Sequence, residues 1–70
     1  MKGQILEFNN GQGYRRGLMV AEKQIKSLTH QGRALVYMLD EDLNLQKNDK
    51  GGNVIGIFEL KHTKVIGFQD

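Results

Sequence analysis

The chain contains no cysteine, no proline and no tryptophan. Without cysteine there is no disulfide and no thiolate metal site, and the two histidines, His30 and His62, have no thiol partners. Absence of cysteine fits a reducing compartment. Long apolar runs are missing too: a stretch such as Leu18-Met19-Val20-Ala21 falls far short of the roughly 20 residues that cross a bilayer as a helix. The start, Met1-Lys2-Gly3-Gln4, lacks the apolar segment of a signal peptide. The expectation is a soluble, cytoplasmic protein with no membrane partner.

Seventy residues are expected to make one domain, residues 1–70. A chain this short buries only about 60% of the surface its unfolded form exposes, so a lone core is marginal. Small domains escape this with disulfides, metals or oligomerisation. With the first two closed, self-association is a natural option. Hydrophobic residues at 39% and charged residues at 26% argue against wholesale disorder.

What the chain has is glycine, nine of them, punctuating short apolar segments. Lys2 to Phe8 reads as a first strand. Asn9-Asn10-Gly11-Gln12-Gly13 is the clearest turn, with Asn10-Gly11 suited to a type I′ hairpin or the five residues to a bulged loop. Tyr14 to Ala21 reads as a second strand, crossed by Gly17 at a bulge or a close approach. Residues 22–29 have Ile25 and Leu28 three apart and Glu22 placed to pair with Lys26, which allows a helical turn or two. Arg33 to Leu39, Asn53 to Leu60 and Lys64 to Phe68 read as further strands. Between them Asp40 to Gly52 is either a polar loop or, through the alternation of Leu43 and Leu45, a strand extension with Lys47 to Gly52 as hairpin tip. The second is preferred, because structureless loops above about 12 residues are uncommon. Lys61-His62-Thr63 is an irregular turn or a bend in one long strand.

Several strands are apolar on both faces: Leu35, Tyr37 and Leu39 oppose Ala34, Val36 and Met38, and Val54, Phe58 and Leu60 oppose Ile55 and Ile57. Two-sided strands imply a barrel with covered edges, or a sheet whose second face meets another subunit. The expected class is all-β and mainly antiparallel: a small five-stranded barrel, OB- or SH3-like, with at most one short helical turn.

Residues 1–20 carry Gly3, Ile5, Phe8 and Asn9, then Gln12, Gly13 and Tyr14 after a short turn. This pattern resembles the opening of cold-shock domains, five-stranded OB-type barrels that bind single-stranded RNA or DNA. A weaker likeness follows in Ile25-Lys26-Ser27-Leu28, Gln31-Gly32 and Val36-Tyr37. The resemblance implies a barrel with Tyr14 as a base-stacking platform. It departs from the family where ligand contacts fall. Glu7 stands in place of a stacking tryptophan, Arg15-Arg16-Gly17-Leu18 replaces the second aromatic of the first motif, and the aromatic-valine-histidine run of the second motif has no match.

The net charge of +2 is unevenly spread, +4 over residues 1–37 and −2 over the remainder. A basic face for a polyanion is one reading, and an ordinary mixed surface the other. The residues assigned to nucleic-acid contact are Lys2, Tyr14, Arg15, Arg16, Lys23, Lys26 and Arg33, with the arginines gripping phosphates beside Tyr14. Chemistry has little to stand on. Asp40, Glu41, Asp42 and Asn44 lack the sixth-position glycine and closing glutamate of a calcium loop. Ser27 and His30 have no evident acid to orient the histidine, and Gly11-Gln12-Gly13 lacks the third glycine of a dinucleotide site. The sequence therefore predicts a non-enzymatic binding module without cofactor or metal. Its expected partner is single-stranded RNA or DNA; the alternative is a protein partner, including a second copy of itself.

Overall fold

The computed structural model describes residues 2–70. Five antiparallel strands form one sheet: β1 (Gly3–Asn9), β2 (Tyr14–Met19), β3 (Arg33–Leu39), β4 (Ile55–Glu59) and β5 (Thr63–Gln69). Their order is β4-β3-β2-β1-β5. Four strands follow one another as a meander, and β5 returns beside β1. The sheet does not close, so β4 and β5 are its two edges.

The β1–β2 turn is longer than a type I′ hairpin. Asn9 faces Tyr14, which leaves a four-residue loop, and positive φ falls on Gly11 (96°) and Gly13 (120°) rather than on Asn10. The asparagines serve as acceptors instead. Asn9 Oδ1 takes the Gly11 N–H at 2.8 Å and Asn10 Oδ1 takes that of Gln12 at 3.2 Å. Such side-chain turns compete with the tighter hairpin geometry.

Both faces of the central strands are buried, which accounts for the two-sided apolar pattern. On one face Leu6, Phe8, Val36 and Phe58 form a cluster flanked by Met19 and Met38, with the Phe8 and Phe58 rings stacked at 5.1 Å. On the other, Leu18, Val20 and Leu39 pack with Ile5, Tyr37 and Leu45. Gly17 is a close approach: a Cβ there would lie 2.6 Å from Val36 Cγ2 and 3.0 Å from Phe58 Cε2.

Three connections complete the scaffold. Beyond β2 a 3-10 turn (Ala21–Lys23) and the five-residue helix α1 (Lys26–His30) cover the segment expected to hold a helical turn or two. The Gln24 amide donates to the Leu35 carbonyl at 2.9 Å and accepts the Leu35 N–H at 2.9 Å. It therefore continues the ladder where β2 has left β3. The segment between β3 and β4 turns twice. Asp40 to Asn44 is a turn, so the expected strand extension through Leu43 does not occur. The Asp40 carboxylate accepts the N–H groups of Asp42 and Asn44, both at 2.9 Å, and holds the chain in the turn. Leu45 then returns to bridge Leu39, and the expected tip at 47–52 is a second turn closed by a Lys47–Asn53 bridge. Finally, residues 61–63 form an irregular turn, one 3-10 turn (Leu60–His62) between the two edge strands.

Candidate functional site

Tyr14 opens β2 and its side chain stands in solvent, with the residue 66% exposed. It lies between two clefts. One, of about 280 Å³, is shared with Arg15, Arg16, Asp40, Glu41 and Gln46. The other, of about 360 Å³, is shared with Glu7, Asn9, Lys61, His62 and Lys64. Cations thus flank the ring on both sides.

Register across β2, β1 and β5 sets Arg16, Glu7 and Lys64 in a row. The Glu7 side chain is largely covered and accepts both cations, Arg16 Nη2 at 3.3 Å and Lys64 Nζ at 3.6 Å. At the place where the cold-shock resemblance expects a stacking ring, this protein has a carboxylate between two cations. Further acids temper the basic character. Asp40 and Glu41 line the first cleft, and Glu59 pairs with Lys61 at 3.7 Å.

The seven residues assigned to nucleic acid do not gather. Tyr14, Arg15 and Arg16 share a cleft. Lys2 lines a different one, of about 690 Å³, with Gln4, Met19, Glu22, Phe68 and Asp70. Lys23 sits in the 3-10 turn after β2, Lys26 begins α1, and Arg33 faces Glu59 across β3 and β4. Sequence reasoning left out Lys61, His62 and Lys64, which approach Tyr14 only because β5 pairs with β1. A strand order of that kind leaves no local signal.

The other exposed aromatic is Phe68, at 74%. Tyr14 pairs with Asn9 on β1 and Phe68 with Gln4, five residues away. At about 3.4 Å per residue their backbone positions are about 17 Å apart along the strand direction. They line separate clefts and do not form one stacking surface.

A second set of exposed groups lies on the two edges. Ile55 (58%) and Ile57 (52%) are open on β4, and Val65, Ile66 and Phe68 are open on β5. Each edge strand has a neighbour on one side only.

Among the described residues no three His, Asp or Glu side chains cluster as metal ligands would, and no helix is long and apolar enough to cross a membrane. Comparison with protein families, with curated proteins and with solved structures finds no match.

Proposed function

We propose that this protein is a non-enzymatic interaction domain that associates with a protein partner, including its own copies, through the open edges of its sheet. The observation that carries this reading is the exposure of apolar side chains along both β4 and β5, each of which has a neighbour on one side only. Soluble proteins normally blunt such edges with proline, inward charges, bulges or a covering segment, because a bare edge is a template for another strand; β5 has one bulge, at Ile66, and β4 has none. Strand addition to an edge is an established mode of recognition.

The sheet stays open where the expected OB- or SH3-like barrel would close. That weakens the transfer of cold-shock ligand chemistry to this chain. Sedimentation velocity tests the reading: a dimer or larger species is expected at micromolar concentration, and a clean monomer up to about 100 μM overturns it.

The exposed Tyr14 ring between two cation-bearing clefts favours a second reading, single-stranded nucleic-acid binding at that end. One ring supplies at most one stacking contact, about 1–3 kcal/mol, and the nearby carboxylates oppose a phosphate backbone. If it holds, oligonucleotide affinity falls steeply with salt, and Arg15→Ala and Tyr14→Ala each weaken it. No binding at low salt removes it.

A further inference from the structure

The proposed association leaves open which edge meets which. We infer that β4 of one copy pairs antiparallel with β5 of the next, Ile57 opposite Ile66, so that assembly runs head to tail. The inference rests on the edge-association reading above.

Backbone alternation identifies the groups available. The N–H and C=O of Leu35 bond the Gln24 side chain, so they point away from β4. Its cross-strand partner Ile57 must then turn its own N–H and C=O away from β3, and Ile55, two residues on, does the same. The flanking bonds Met38 N–H to Val54 O and Leu60 N–H to Gly32 O, at 2.8 Å each, fall on the alternate positions as this requires. Carrying the alternation through β2 and β1 directs the Gly67 groups toward β1 and the Phe68 groups outward. Ile66 is the extra residue of the β5 bulge and has no partner on β1.

Side chains then select the register. With Ile57 opposite Ile66, Gly56 faces Gly67 and Ile55 faces Phe68, and the pairing ends there because the bulge at Ile66 breaks the alternation of β5 toward Val65 and Lys64. Both exposed isoleucines of β4 thereby meet an exposed apolar side chain of β5 on one face. A slip of two residues one way sets Asn53 against Phe68. A slip the other way sets Glu59 against Ile66 and Ile55 against Asp70. Neither alternative is complementary on the face that Ile55, Ile57 and Glu59 share. Because β4 and β5 bound opposite edges of the sheet, such a contact is heterologous, and successive copies continue it into a ring or a linear array.

Two edge-blocked variants test this, Ile57→Lys on β4 and Ile66→Lys on β5, each checked for native circular dichroism. Head-to-tail pairing predicts that each variant alone sediments as a monomer. Their equimolar mixture forms a one-to-one dimer, since one partner keeps β5 and the other keeps β4. Association of Ile66→Lys alone, or of Ile57→Lys alone, indicates like-with-like pairing and overturns the inference while sparing association itself. A mixture that stays monomeric while the wild type associates does the same. A monomeric wild type removes the underlying reading instead. Should either lysine variant lose its fold, mixed Ile57→Cys and Ile66→Cys proteins give the same readout as a disulfide-linked heterodimer, and preferential formation of either homodimer overturns the inference.

Discussion

Gln24 sits in a connection, yet its amide replaces a strand. Leu35 offers N–H and C=O groups on the side that β2 vacates after Met19, and Gln24 answers both while also donating to Val20 O at 3.0 Å. Truncation leaves those groups without their partner, so Gln24→Ala should cost about 1–3 kcal/mol in urea denaturation. For a domain this size each 1 kcal/mol lowers the melting temperature by about 4–8 °C. An unchanged midpoint would contradict the role. Gly17 is constrained by packing, with no room for a methyl group against Val36 and Phe58. Gly17→Ala should cost about 1–3 kcal/mol through overpacking, measured the same way. Leu43 is the opposite case, a branched residue at φ 65° on the surface of a turn. Leu43→Asn, which tolerates that conformation, should raise stability by up to about 1 kcal/mol, and a loss of stability would contradict the assignment. Gly17 was legible in the sequence because an isolated glycine in a strand signals close approach. Gln24 was not, because nothing local marks a glutamine that bonds eleven residues away.

At the scale of elements, apolar periodicity located all five strands, and β3 spans Arg33 to Leu39 as read. The turns share a feature. Asn9, Asn10, Asp40 and Asn48 use side-chain oxygens to hold backbone N–H groups, and these local bonds set the turn geometry in place of the regular alternatives. Thus Leu43 and Leu45 alternate as strand residues do, but the Asp40 carboxylate turns the chain before they can extend β3. Asn48 does the same at the next turn, accepting from Lys50 and Gly52, both at 2.9 Å. Asn48→Ala should therefore destabilise the β3–β4 connection by about 1 kcal/mol, seen as faster amide exchange over residues 47–53. Exchange unchanged from the wild type would contradict it. The candidate site was legible only in part. Tyr14, Arg15 and Arg16 are neighbours in sequence and remain together, whereas Lys2, Lys23, Lys26 and Arg33 are dispersed by the fold, and Lys61 and Lys64 are brought in by it.

For the whole molecule, the short chain and the two-faced strands both leave apolar surface to cover. A short chain without disulfides has little core to spare, and its apolar residues exceed what one closed layer covers. The structure divides that excess. Part is buried in two clusters on opposite faces of the sheet, and part stays exposed as Ile55, Ile57, Val65, Ile66 and Phe68 along the open edges. Which residues fall in the exposed part depends on strand order, and strand order is not written in local periodicity. If the edges join, association and stability are linked by mass action. The melting temperature should then rise with protein concentration in the wild type and stay constant in Ile57→Lys.

The central claim is that β4 of one copy lies beside β5 of another, and a chain without native cysteine permits a direct readout. Residues opposite each other across a strand pair have Cα atoms about 4.5–5.5 Å apart, within disulfide range. Single variants Ile57→Cys and Ile66→Cys, mixed and oxidised, should yield predominantly the 57–66 linked heterodimer by mass spectrometry. Predominance of 57–57 or 66–66 homodimers, or yields no better than a cysteine placed at exposed Lys50, would contradict the account.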